Sequence, residues 1–109
     1  MITVNLYYTG KNGSARKFAE EMVSSGVADA IRSEEGNLRY EYFFPMEDAE
    51  TVLLIDQWEN QEAIDRHHAS PMMGQIAALR EKYDLHMRVE RFLSEDADLR
   101  KDDMKFIRK

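Results

Sequence analysis

The side chains best suited to chemistry lie between residues 56 and 73. Trp58, the only tryptophan, is followed nine residues later by His67, with His68 directly after it. A histidine is the natural base near neutral pH for removing a phenolic proton. Adjacent helical residues point roughly 100° apart, so His67 and His68 are not expected to share one small site, which argues against a metal pair. The alternative for His67 is a partly exposed helix residue with no catalytic role.

The elements that must position these side chains follow from the spacing of apolar residues. Strands are predicted over residues 2–9, 38–44, 51–58 and 85–93, and one helical stripe runs over residues 15–31. A second helix is predicted after Asn60, with a break at Ser70-Pro71 and continuation to residue 83. This β-α-β-β-α-β order predicts an α+β fold of the ferredoxin-like type.

Local signals mark the ends of these helices. Ser14 and Asn60 are predicted helix N-caps, and Ser70 is predicted to cap the restart at Pro71. Gly36 occupies the place where the chain leaves the first helix and must take a positive φ.

The strand patterns also predict which faces are buried. In the first strand Ile2, Val4, Leu6 and Tyr8 form an apolar face, so that Asn5 lies on the opposite face. The third strand is apolar at every position from 52 to 55, which indicates burial on both faces or at a subunit interface. We therefore expect a homodimer in which two sheets pack against each other.

Composition excludes several classes of partner. The net charge is -6, with 21 acidic and 15 basic residues, which argues against nucleic acid and anionic membranes. Cysteine is absent, and no glycine-rich phosphate loop suggests a nucleotide or flavin, so we expect no cofactor and no metal. The N-terminus does not have a signal-peptide pattern, and no apolar run approaches a membrane helix, which predicts a cytoplasmic protein.

The stretch from Trp58 to Met73 resembles the signature of the antibiotic biosynthesis monooxygenase family, which includes the quinol monooxygenases. In that signature a Trp precedes Asn-x-Glu-Ala-hydrophobic, a His, a Ser-Pro pair and a bulky residue, as at 58, 60–64, 67 and 70–72 here. The resemblance implies a dimeric α/β barrel formed by residues 1–94. It also implies oxidation by O2, without a cofactor, of a small aromatic or quinol-like substrate.

The same resemblance suggests site residues. His67 would be the catalytic base, and Asn5 resembles an asparagine that binds the oxygenated substrate in several family members. The proposed pocket between sheet and helices has these two catalytic residues and four substrate-binding residues, namely Tyr7, Phe18, Trp58 and Met72. Asn5 could instead be a solvent-facing strand residue, and Trp58 could simply fill the core.

Three other functions remain open. Heme-degrading relatives of this fold have a Trp and an axial His where this chain has His67 and Ala77, so heme degradation is disfavoured. Isomerisation or degradation of a small metabolite would use the same histidine and pocket. A dimer that only binds a small ligand is the third alternative.

The last segment, residues 95–109, is mostly charged but includes the apolar residues Met104, Phe106 and Ile107. We expect these side chains to pack on the partner subunit. A frayed terminus is the alternative.

Overall fold

The computed structural model describes residues 1–94 and 105–108. Four antiparallel strands form one sheet in the order β2-β3-β1-β4, with the helices on one face. This confirms the predicted ferredoxin-like α+β fold. The elements are β1 (Ile2–Thr9), α1 (Ser14–Ser24), α2 (Val27–Arg32), β2 (Asn37–Phe43), β3 (Thr51–Trp58), α3 (Gln61–His68), α4 (Met72–Lys82) and β4 (His86–Leu93).

The core lies between the helices and the face of β1 that the sequence predicts to be apolar. Across β1 and β3, Val4 is paired with Asp56 and Leu6 with Leu54, so these four side chains share that face. The largest fully buried side chains belong to the same layer: Trp58, Tyr8, Phe18, Met22, Ile31, Leu54, Ile76 and Val52.

The apolar stripe predicted over residues 15–31 forms two helices, α1 and α2, instead of one. The chain turns at Gly26, whose φ is +87°, between α1 and α2. A left-handed residue ends a helix because it turns the backbone away from the helical path. The apolar stripe nevertheless stays buried on both sides of the turn, from Ala15 to Ile31.

Two of the predicted caps differ in detail. Asn60 caps α3 as expected, its Oδ1 accepting from the Ala63 N–H at 2.9 Å. Ser14 is the first residue of α1, and its hydroxyl accepts from the Lys11 N–H instead. Ser70 does not cap α4, because Pro71 takes the N-cap position.

The helices do not fully cover strand β4 on the helix-facing side of the sheet. Its Met87 and Val89 pair with Tyr8 and Leu6 of β1, yet their side chains are 40% and 54% exposed. Helices α3 and α4 therefore leave a gap over this edge of the sheet.

The predicted tail falls mostly outside the described residues. Met104 lies outside them, whereas Phe106 and Ile107 are described and exposed. Packing of this segment on a partner stays a prediction. Among residues 1–94 and 105–108, no helix has the length and apolar character needed to span a bilayer.

Candidate active site

A cavity of about 380 Å³ lies between the sheet and helices α3 and α4, beside the gap at β4. Its walls are mostly apolar, and a small number of titratable groups project into it. The lining side chains are Val4, Leu6, Tyr8, Tyr40, Leu54, Asp56, Trp58, Gln61, Ile64, His67, His68, Met73, Ile76, Arg80, Met87, Val89 and Arg91. Apolar walls with a few convergent polar groups are typical of a small-molecule site.

His67 is held rigidly on one wall. Its ring stacks on Trp58, with centroids 4.9 Å apart, and only 6% of the residue is exposed. On the other side its Nδ1 lies 2.7 Å from Oε2 of Glu34, which comes from the turn after α2. A carboxylate accepts the Nδ1 proton, so Nε2 of the neutral ring is the nitrogen with the free lone pair.

The electrostatics keep this imidazole neutral. Burial lowers the pKa of His67, and this effect outweighs the opposing attraction of Glu34. A neutral histidine at physiological pH is ready to accept a proton, and the carboxylate behind it stabilises the imidazolium that then forms.

Asp56 is the second titratable group in the cavity. Burial raises its pKa to about 7, against hydrogen bonds from the Trp58 indole and the Asn37 amide, which favour the charged form. The Asn37 amide donates to Oδ1 at 3.3 Å. Near neutral pH the Asp56 carboxyl group therefore exists in both protonation states, which makes it a possible proton donor or acceptor.

The phenols of Tyr8 and Tyr40 and the guanidinium of Arg80 add further polar groups to the lining. Nη2 of Arg80 donates to the hydroxyl of Tyr8 at 3.3 Å, and the hydroxyls of Tyr40 and Tyr42 lie 3.3 Å apart. Burial raises the pKa of all three tyrosines. These phenols therefore stay protonated and can donate to a ligand oxygen.

Comparison with known proteins decides the family. Residues 1–79 match the model of the family described as antibiotic biosynthesis monooxygenase. The chain belongs to this family. No curated protein gave a significant sequence match.

Solved structures show the same fold at low sequence identity. A candidate antibiotic biosynthesis monooxygenase from Deinococcus radiodurans has a TM-score of 0.78 at 19% identity, over 91% of this chain and 97% of that one. A protein from Pseudomonas aeruginosa has 0.73 at 20%, over 86% and 93%. SnoaB of Streptomyces nogalater, a cofactor-independent oxygenase, has 0.71 at 14%, over 88% and 94%.

The cavity of this antibiotic biosynthesis monooxygenase family member contains two of the six site residues expected from sequence. Trp58 and His67 line it together. Phe18 is fully buried beneath it, with its ring centroid 4.8 Å from that of Tyr8, and is core. Met72 packs against the core, and its neighbour Met73 is the methionine that lines the cavity.

Asn5 and Tyr7 are not brought together with His67, and their expected place in this pocket is corrected. Residues of a strand alternate between faces, and Val4, Leu6 and Tyr8 occupy the helix-facing side of β1. Asn5 and Tyr7 therefore lie on the outer face. A functional role for Asn5 there stays a prediction.

His68 is closer to the site than its position beside His67 suggests. Its side chain is exposed and borders the same cavity, with the two rings 5.8 Å apart. The cavity extends far enough around α3 to border both side chains, despite the 100° offset between adjacent residues.

Sequence reasoning also missed Asp56, Arg80 and Glu34. Asp56 had a signal: it continues the buried alternation of Val52, Leu54 and Trp58, and a carboxylate on such a face is unusual. Arg80 lies four residues after Ile76, on the same side of α4. Glu34 had no signal in the sequence, because only the tertiary fold brings it next to His67.

Proposed function

We propose that this protein is a cofactor-independent monooxygenase that oxidises a small hydroxylated aromatic compound with O2. The observation that carries this proposal is His67: a buried, neutral imidazole, oriented by Glu34 at 2.7 Å, in the wall of a largely apolar cavity. Membership of the family and the fold shared with a cofactor-independent oxygenase support it.

The first step is removal of the phenolic proton of the substrate by Nε2 of His67. The resulting imidazolium keeps its Nδ1 proton against Glu34, so the new charge is balanced inside the protein. Glu34 and His67 also border a second cavity of about 210 Å³, which offers the proton a route to solvent. Apolar walls favour the next step because they exclude water.

The phenolate then supplies the electrons that reduce O2. One electron passes to O2, and the superoxide and phenoxyl radical combine, which forms a C–O bond at a ring carbon that carries hydrogen. Loss of that hydrogen as a proton, with cleavage of the O–O bond, gives a quinone and water. One oxygen atom enters the product, the other leaves as water, and no external reductant is consumed. Tyr40, whose side chain lines the cavity, would donate to the developing oxyanion.

The test is O2 consumption with 1,8-dihydroxyanthrone, which should yield the anthraquinone and one water per O2. With labelled ¹⁸O2, one labelled atom should appear in the quinone. The variant His67→Gln should lower turnover about 10²-fold or more, because it removes the base. The matched control is His86→Gln, since His86 lies outside the cavity lining. Equal turnover in wild type and His67→Gln would remove the catalytic role.

A second candidate, isomerisation of a small metabolite by proton transfer, is favoured by one observation. Asp56, with a pKa of about 7, and the neutral His67 line the same cavity and could act as acid and base on one substrate. Solvent deuterium incorporated into a ligand without O2 consumption would support this reaction over oxygenation.

A further inference from the structure

Arg80 is a cation in the cavity without a counter-anion in the described structure. Within residues 1–94 and 105–108 its guanidinium forms no ion pair with a carboxylate. Its Nε is buried and has no hydrogen-bond partner. Arg80 is half-buried, and a cation without a counter-anion in a mostly apolar wall favours binding of an anion from outside the chain.

A second donor lies beside it. The Tyr8 hydroxyl accepts from Nη2 of Arg80 at 3.3 Å, and no acceptor for its own proton is present among the described residues. Tyr8 is 1% exposed and lines the cavity, so an acceptor for this proton has to come from within the cavity. The Nε–H of Arg80 and the O–H of Tyr8 are thus two unsatisfied donors on side chains that line one cavity.

The cavity's own carboxyl group does not serve as the counter-anion. Asp56 forms no ion pair with Arg80, and its hydrogen-bond donors are Asn37 and Trp58. The positive charge of Arg80 acts instead on Tyr8 and His67: it opposes the burial that raises the pKa of Tyr8, and it adds to the burial that lowers the pKa of His67. Arg80 is therefore a cation without a carboxylate partner among the described residues, in the wall of a mostly apolar cavity.

We propose that Arg80 and Tyr8 form a subsite for an anionic oxygen group of the substrate, and that the substrate is an aromatic carboxylate with ring hydroxyls. The guanidinium of Arg80 would pair with the carboxylate through charge-assisted hydrogen bonds, and Tyr8 would donate to the same group. The hydroxylated ring would then occupy the apolar part of the cavity between Trp58 and Met87. This inference rests on the proposed oxygenase function for the role of the ring, but not for the binding itself.

Calorimetry without O2 tests the subsite. The two probes are 2,5-dihydroxybenzoate and its methyl ester, which share the ring and hydroxyls and differ in charge. Wild type should bind the acid about tenfold or more tightly than the ester, as expected for a charge-assisted hydrogen bond. Arg80→Met should abolish this preference with little effect on the ester. Arg80→Lys, which keeps the charge but loses the Nε–H, should retain only part of it.

The controls separate position from net charge. Lys17→Met removes one positive charge from exposed α1 and should leave the preference unchanged. Arg91, which also borders the cavity and donates to Gln61 at 2.6 Å, is the rival subsite. Loss of the preference in Arg91→Met with retention in Arg80→Met would overturn the proposal.

Equal affinity for acid and ester in wild type, or no binding of either at millimolar concentration, would overturn it as well. Binding is measured without turnover, so the two proposals fail separately. A preference that depends on Arg80, without O2 consumption, would keep the subsite and reject the oxygenase.

Discussion

The neutral imidazole of His67 and the protonatable carboxyl of Asp56 illustrate how burial shapes single residues. Both charged forms are disfavoured by the same apolar surroundings, which lower the pKa of the base and raise that of the acid. At a pH between the lowered pKa of His67 and the raised pKa of Asp56, the imidazole is neutral and the carboxyl group keeps its proton. Such an arrangement suits proton transfer near neutral pH.

The same burial makes stability depend on pH, with opposite signs for the two residues. The unfolded chain takes up a proton at His67 before the folded chain does, so this residue lowers stability as the pH falls below 6.5. Asp56 holds its proton in the folded state up to a pH of about 7, against an ordinary value of 3.8. Its contribution is therefore lost as the pH rises through this range.

Asp56→Asn tests this effect at the residue scale. The amide cannot ionise, so the variant should gain stability relative to wild type as the pH rises from about 5 to about 8. The gain over this pH range is at most about 3 kcal/mol. Urea unfolding at both pH values measures it, and Asp65→Asn on exposed α3 controls for the lost negative charge. A stability difference that does not change with pH would refute the burial of a carboxylate here.

At the element scale, the position of α3 depends on the turn at Gly36. This residue has a φ of +86°, and a Cβ added there would lie 2.5 Å from Cβ of Ala63 in the first turn of α3. Glycine therefore permits both the left-handed turn and the close approach of the helix that carries His67. The Glu34–His67 hydrogen bond spans the same junction.

Gly36→Ala is predicted to destabilise the protein by more than the cost of placing alanine in a left-handed backbone conformation. Gly26→Ala is the matched control, because Gly26 has a φ of +87° and no heavy atom within 4 Å of the added Cβ. The left-handed conformation should cost each variant about 1–2 kcal/mol. Gly36→Ala alone should lose a further amount of stability, about 1–3 kcal/mol, because the added methyl group overlaps Ala63 and forces α3 to shift. Equal losses in urea unfolding would show that α3 adjusts freely.

At the scale of the whole molecule, the outer face of the sheet is incompletely covered by a single chain. Tyr7, Leu53 and Ile55 are half-buried on this face, and Phe92 is 50% exposed. The Oδ1 atom of Asn5 is buried there without a hydrogen-bond partner in the described structure. We propose that a second copy covers this face as the homodimer partner.

Light scattering after size-exclusion chromatography tests the dimer. Wild type should have the mass of two chains at micromolar concentration, and Ile55→Lys should shift it to one, because the new charge would be buried between the sheets. Val23→Lys supplies the control, since Val23 is 51% exposed on α1, away from the outer face. A stable wild-type monomer would reject the proposal.

The sequence by itself determined the order of the elements and the faces of the strands. Period-2 alternation in β1 and the bounds of β3 follow from local side-chain patterns, which depend on the chain alone. The stretch from Trp58 to Met73 likewise indicated the family, because its residues are contiguous. Helix α1 ends before Gly26, although the apolar stripe continues beyond it. A backbone turn therefore need not interrupt a buried face.

Only the tertiary structure decided which polar groups meet. Glu34 and His67 are 33 residues apart, and Tyr8 and Arg80 are 72 apart, so no local pattern encodes these pairs. Asn5 is the opposite case. Its amide suits the proposed chemistry, but the alternation of side chains along β1 turns it to the outer face of the sheet, away from His67. Sites are assembled from side chains that converge in space, whereas sequence periodicity reports only which face of its own element each side chain occupies.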